Sequence, residues 1–205
     1  MQFFYAPTSI SLAAHIVLDD AGAEYTAHRV DFAQNEQRSE AFLSINPKGR
    51  VPALETDEGL LTETPAILDY LAQTNPQANL LPNCGPFALA KAQEFNAYLC
   101  STVHVAHAHK NRGRRWVDDE AALEAMRRQV PQSMLDVCSP IETDLLKGPW
   151  VMGEQYTICD PYLFAITRWL EGDSVDVNLL PRIAAHRQRM RERPVVARLM
   201  AGTYV

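Results

Sequence analysis

The amino-acid sequence predicts a two-part fold, an α/β layer over residues 1–76 and an all-helical part over 86–205. Three observations predict it. Short apolar runs alternate with helical segments as far as Pro76. A stretch rich in Pro, Asn and Gly, NPQANLLPNCGP, follows and places a linker at 77–85. Beyond it, apolar residues recur at three-to-four spacing, the period of a helix face.

Composition bounds the function before any motif is read. With 205 residues, 47% hydrophobic and 21% charged, the chain can bury a core and is not broadly disordered. No run approaches the roughly 18 apolar residues of a membrane span. MQFFYAPTS enters an apolar strand directly, without the basic start and long apolar segment of a secretory signal. A cytoplasmic location with no membrane partner is therefore expected. The net charge of −6 argues against nucleic acid as a partner, and the local cluster Lys110-Asn111-Arg112-Gly113-Arg114-Arg115 reads as a solvated helix end or loop. Cys84, Cys100, Cys138 and Cys159 are scattered with no CxxC, which favours free thiols in helices over a disulfide framework or zinc site.

Taken in order, Gln2 to Tyr5 reads as a strand and Ala6-Pro7-Thr8 as a loop. The helix after it carries Leu12, Ala13, Ile16 and Val17 on one face and stops at Gly22. Tyr25 to Val30 is a second strand, and Arg38 to Ile45 a short helix. In Asn46-Pro47-Lys48-Gly49-Arg50-Val51-Pro52, Pro47 keeps Asn46 out of the helical region and Gly49 is free to take a positive φ. Pro52 has no N–H for a ladder, so it belongs at a strand entry or edge, and its bond to Val51 is a candidate for the cis form. Leu54-Glu55-Thr56, the turn Asp57-Glu58-Gly59 and Leu60-Leu61-Thr62 form a hairpin. Glu63-Thr64-Pro65 then opens a helix through Ile67, Leu68 and Leu71.

In the second part, Phe87, Leu89, Ala90, Phe95, Tyr98, Leu99, Thr102, Val103 and Ala106 fit one face of a long helix. A second helix from Asp118 to Leu146 turns Leu123, Met126, Val130, Met134, Val137 and Ile141 inward, with a kink expected at Pro131 and a stop at Gly148. Thr157-Ile158-Cys159-Asp160 fits a capping box whose Thr→Ala change should cost about 1 kcal/mol. The helix it opens places Ile158, Tyr162, Ile166, Trp169 and Leu170 on the core side. Pro181 to Arg191 and the stretch RERPVVARL read as closing helices.

The segment NPKGRVPAL at 46–54, a hairpin, and TETPAILDYL at 62–71 together resemble the glutathione transferase family along essentially the whole chain. The bacterial cysteine-type, or beta, branch is the most similar. The resemblance implies a thioredoxin-like N-terminal domain, an all-α second-substrate domain and a homodimer. It also implies glutathione as co-substrate, with its thiolate conjugated to a hydrophobic electrophile in a detoxification reaction. On this reading Thr64, at a helix N-terminus, offers hydroxyl and N–H to the γ-glutamyl carboxylate. Glu63 accepts from the ammonium, Val51 ahead of Pro52 exchanges backbone bonds with the cysteinyl part, and Lys48 is a contact for the glycyl carboxylate.

Tyr5-Ala6-Pro7-Thr8-Ser9-Ile10-Ser11-Leu12 parallels the branch's Tyr, Pro, Gly, Ser, Cys, Ser, Leu, with Ile10 in the place of the catalytic cysteine. Isoleucine neither donates a hydrogen bond nor forms a mixed disulfide, so disulfide chemistry should be absent or reduced. Ser11 is the first choice to approach the sulfur, Ser9 the second. Tyr5 matches a tyrosine used by animal tyrosine-type members and otherwise reads as packing. LCSTVH at 99–104 places His104 at the family histidine facing the thiol, while the family's asparagine seven residues earlier is Ala97 here, beside Asn96. Trp116 and Trp169 are candidates for an apolar pocket, Trp169 more readily for the core. His104, His107 and His109 raise a metal site, but no carboxylate or cysteine completes one, so no metal is expected. The alternatives are a glutathione-binding module without catalysis, motivated by Ile10, and a glutathione-dependent isomerase.

Overall fold

The computed structural model describes residues 1–83 and 85–202; Cys84, read above as a free thiol, lies outside the described residues. The N-terminal part runs β1 (Gln2–Tyr5), α1 (Ser11–Asp20), β2 (Thr26–Arg29), α2 (Glu40–Ile45), β3 (Ala53–Thr56), β4 (Gly59–Thr62) and α3 (Thr64–Thr74). Its four-stranded sheet has the order β2-β1-β3-β4, with β1 parallel to β2 and antiparallel to β3. Strand alternation sorts the core. Phe3, Tyr5 and Leu54 join Val17, Leu68 and Leu71 under α1 and α3, while Phe4 and Ala53 meet Phe42 of α2 on the opposite face.

Pro52 stands just before β3, and the Val51–Pro52 bond is cis. The hairpin turn is tighter than expected, since Gly59 already pairs with Thr56 and only Asp57 and Glu58 form the loop. Gly49 has φ +60°, and a Cβ there would stand 2.8 Å from the Gln37 carbonyl oxygen, so both the backbone and the space select glycine.

The long helix of the second part is interrupted. It comprises α4 (Gly85–Tyr98), a wider π turn at Leu99–Val103 and α5 (His104–Arg112). Its buried stripe is Ala92, Phe95, Asn96, Leu99, Val103 and Ala106. Phe87, expected inward, is 79% exposed. Counting back from Ala92 by three and four reaches Leu89 and Ala88, which are half-buried, and leaves Phe87 on the outer side.

Helix α6 (Glu120–Pro140) is capped by Asp119, whose carboxylate accepts from the Ala122 N–H at 2.8 Å, and it runs through Pro131. It buries Leu123, Val130, Met134 and Cys138, and a second π turn, Ile141–Leu145, ends it before Gly148. The chain closes with α7 (Cys159–Thr167), buried on all sides, α8 (Pro181–Arg191) and α9 (Pro194–Met200). Among the described residues no helix is long and apolar enough to cross a membrane.

Half of the expected capping box forms as read. The Asp160 carboxylate accepts from the Thr157 N–H at 2.8 Å, but the Thr157 hydroxyl takes the Cys159 N–H at 3.4 Å, because the Asp160 N–H bonds the Thr157 carbonyl. Asp160 does more than cap. It accepts from the Val151 N–H at 2.7 Å and meets His186 Nε2 at 3.1 Å, tying a loop and α8 to the same buried carboxylate. Two more carboxylates join the parts: Asp20 and Asp19 at the end of α1 hold Arg193 and Arg198 of the C-terminal region, each at 2.8 Å.

Candidate active site

A cleft of about 810 Å³ opens between the sheet and the helical part. Its sheet-side wall is formed by Thr8 to Ile10, Lys48 to Pro52 and Thr62 to Thr64. Its helical wall includes His104, His107, Ala108, Arg112, Arg115, Trp116 and Trp169. The structure therefore gathers Ser9, Ile10, Lys48, Val51, Pro52, Glu63, Thr64 and His104 around one space.

The sheet-side wall is organised by Asn46, which the sequence marked only as the residue before a turn proline. Asn46 is 1% exposed, and its amide donates to the Arg50 carbonyl at 2.7 Å while its oxygen accepts from the Lys48 N–H at 3.1 Å. It holds the loop that presents Val51 and Pro52. An Asn before Pro at a turn was the available signal. At the other end of the hairpin, Glu63 has φ 70°, a left-handed conformation costing on the order of 1 kcal/mol for a residue with a side chain. That corner turns β4 directly into α3, so Thr64 opens the helix at the cleft with its N-terminal amides. The Lys48 ammonium bridges Glu63 and the Thr62 hydroxyl, each at 2.7 Å.

The loop after β1 corrects the first choice for the thiolate. Ser11 is fully buried and does not line the cleft. Its hydroxyl accepts from the Ala6 N–H at 3.2 Å and donates to the Ala6 carbonyl at 3.1 Å. With that proton committed, Ser9 is the donor in the 2.6 Å contact between the two hydroxyls. Ser9 Oγ also accepts from the Ser11 N–H at 3.1 Å, so the serine in the cleft serves mainly to cap α1. Ile10 precedes the helix with no capping side chain, and among the described residues its N–H has no hydrogen-bond partner. Tyr5 is likewise placed away from the cleft, 6% exposed and ringed by Phe3 and His15. A strand residue pointing under α1 cannot also reach the sheet's end.

On the helical wall, burial first, then His107, Arg115 and Arg50, lower the His104 pKa to about 4, so this imidazole is neutral at neutral pH. Ala97 and Asn96 do not line the cleft; Asn96 is buried in the α4 stripe. Trp169 is a correction: it lies past the end of α7, where the helix period no longer directs it inward. Its ring stacks on His107 at 4.1 Å, and its indole N–H donates to the Thr8 carbonyl at 3.0 Å. Trp116 is 47% exposed at the cleft, with His109 against it edge-on.

His107 acquires a partner that no local pattern announces. Its Nδ1 lies 2.6 Å from Asp173, whose side chain is 1% exposed and which also faces Lys110 at 3.6 Å. One ring nitrogen is thereby oriented. Among the described residues no group of three or more His, Cys, Asp or Glu is placed to hold a metal ion. Cys100, Cys138 and Cys159 are free thiols.

Comparison with known proteins fits this geometry. Residues 1–73 match the family described as Glutathione S-transferase, N-terminal domain. Glutathione S-transferase GstA of Escherichia coli O157:H7 is 33% identical over 198 residues, 96% of this chain and 95% of that protein. Maleylacetoacetate isomerase of Pseudomonas aeruginosa is 31% identical over 185 residues, 88% of this chain and 85% of that one. Among solved structures, a glutathione transferase homolog from Sulfitobacter with bound glutathione superposes with a TM-score of 0.95 at 43% identity, covering 100% of this chain and 98% of that one. The thioredoxin-like sheet, the helical second part and these full-length similarities place the chain in the glutathione S-transferase family.

Proposed function

We propose that this protein is a glutathione transferase that binds glutathione along the sheet-side wall and conjugates its thiolate to an electrophile held by the helical wall. The observation that carries the reading is the convergence of Val51, Pro52, Glu63 and Thr64 on one cleft, which supplies an extended backbone edge, a carboxylate and a helix N-terminus together. Those are the complements of a cysteinyl backbone, an ammonium and a carboxylate. The glutathione bound in the Sulfitobacter homolog supports it.

The thiolate is stabilised at the N-terminus of α1, by the unpartnered Ile10 N–H and the helix dipole rather than by Ser11. The sulfur attacks an electrophilic carbon, a C–S bond forms, and the leaving group departs with the electron pair. The pattern from Tyr5 to Leu12 resembles that of the beta branch, with Ile10 where that branch has its cysteine, and on this reading the step needs no protein thiol. The division at 1–76, 77–85 and 86–205, a homodimeric state, a cytoplasmic location and a role in detoxification belong to the same proposal.

The test is ultraviolet titration of the bound thiolate together with calorimetric binding of glutathione. A thiol that ionises at least one pH unit below its free value in wild type and in Ser9→Ala supports the reading. Binding with an unshifted thiol would leave a binding module without catalysis. Loss of the shift in Ser9→Ala would return the role to a side chain. An isomerase reading is favoured by the similarity to maleylacetoacetate isomerase alone, and assay of a cis-alkene substrate without net glutathione consumption separates it.

A further inference from the structure

Arg38, Arg50, Arg112 and Arg115 line the same cleft, drawn from the turn before α2, the loop before β3 and the end of α5. Among the described residues none of the four is in an ion pair. The nearby carboxylates are already engaged: Glu63 by Lys48, and Asp173 by His107 and Lys110. Such a concentration of unpaired positive charge is unexpected in a chain of net charge −6, and a cleft of one sign focuses the field on what enters it. The arginines also feel one another. Burial, then Arg50, Arg112 and Arg38, lower the Arg115 pKa from its ordinary value.

Glutathione accounts for only part of this charge. With its γ-glutamyl carboxylate at Thr64 and its backbone along Val51, its glycyl carboxylate comes to the side of Lys48, Arg50 and Arg38. Arg112 and Arg115 stand on the helical wall with Trp116 and Ala108, and a single glycyl carboxylate cannot offset the charge of all four arginines. We infer that the electrophile itself carries a carboxylate, gripped by Arg112 and Arg115 while its apolar part lies against Trp116 and Ile10. The inference rests on the proposed glutathione reading and narrows its second substrate from a hydrophobic compound to an amphipathic acid. Arginine suits the task because its planar fork can bind both carboxylate oxygens at once.

Two unreactive thioethers test it, S-butylglutathione and S-(3-carboxypropyl)glutathione, which differ by a terminal carboxylate. Calorimetry at low salt, where surface charges are least screened, should show the carboxylated ligand binding wild type about tenfold more tightly. The double variant Arg112→Gln/Arg115→Gln should lose that preference and keep its affinity for S-butylglutathione, which also reports that it is folded. Arg38→Gln should weaken both ligands alike. If wild type binds the two equally, or prefers the butyl compound, the carboxylate site is wrong and the glutathione site stands. Binding of neither would overturn the glutathione reading and this inference with it.

Discussion

Most of the sheet-side wall of the cleft, Lys48 to Pro52 and Thr62 to Thr64, comes from the loop and hairpin between α2 and α3, with Thr8 to Ile10 added after β1, whereas the helical wall joins the run from His104 to Trp116 to Trp169, which comes from beyond α7. The first wall satisfies itself locally: Asn46 closes its loop, Lys48 answers Glu63, and the turn into α3 needs only the unusual φ of Glu63. The second wall leaves Arg112 and Arg115 outside any ion pair among the described residues, as Arg38 and Arg50 are on the rim of the first. Backbone edges and helix amides recognise any peptide-like ligand of the right shape, so the first wall suits a constant co-substrate. Side chains with unmet charge suit one that varies between relatives.

The strongest way to break the comparison is to remove what supports the helical wall. Asp160→Ala leaves the Thr157 and Val151 N–H groups and His186 without their buried acceptor. It should cost about 3–5 kcal/mol, read by urea unfolding. A loss below about 1 kcal/mol would mean that the carboxylate is not a support. Next in size is Thr64→Val on the opposite wall. Losing a hydroxyl bond to a charged carboxylate costs about 1.5–3 kcal/mol, so glutathione affinity should fall at least tenfold while the KM for the electrophile holds. Equal losses in both constants would deny that the walls divide the work.

Ile10→Cys sharpens the comparison by adding to the sheet-side wall the chemistry it lacks. The new thiolate should attack oxidised glutathione and release one glutathione thiolate. The mixed disulfide would be seen as a mass gain that reductant reverses. A smaller effect concerns pH. His104 stays neutral in the folded protein down to about pH 4, whereas an exposed histidine in the unfolded chain protonates near 6.5. Between those values the unfolded chain binds more protons, so the stabilisation is complete above pH 6.5 and lost as pH falls toward 4. His15, lowered to about 4 mainly by burial, adds the same slope. His104→Asn should reduce the stability difference between pH 7 and pH 5 by on the order of 1 kcal/mol; an unchanged difference would show that His104 is not the group concerned. Smallest of all, Arg115→Gln should raise the His104 pKa, measured by proton NMR titration, because one of the charges opposing protonation is gone.

Much of the fold was legible because its signals act over a few residues. Strand alternation in Gln2 to Tyr5, the entry proline at 52, the Pro-led start of α3 and the Asp160 cap each depend on neighbours in sequence, and each element stands where it was expected. The π turn at Leu99–Val103 was not legible, since no residue type demands it. The choice between Ser9 and Ser11 was not either. Both hydroxyls sit near the start of α1, and only the position of the Ala6 peptide decides which is consumed inside.

By itself, then, the sequence determined the order of elements and the Pro-led start of α3, because these are properties of the local backbone. Tertiary structure decided which distant side chains share a space. His107 meets Asp173 across 66 residues, and Trp169 reaches Thr8 across 161. Helical periodicity says which face of α5 is apolar but not what stands opposite it. The basic run at 110–115, readable alone as a solvated helix end, becomes a charged wall only when Arg38 and Arg50 are folded into the same cleft.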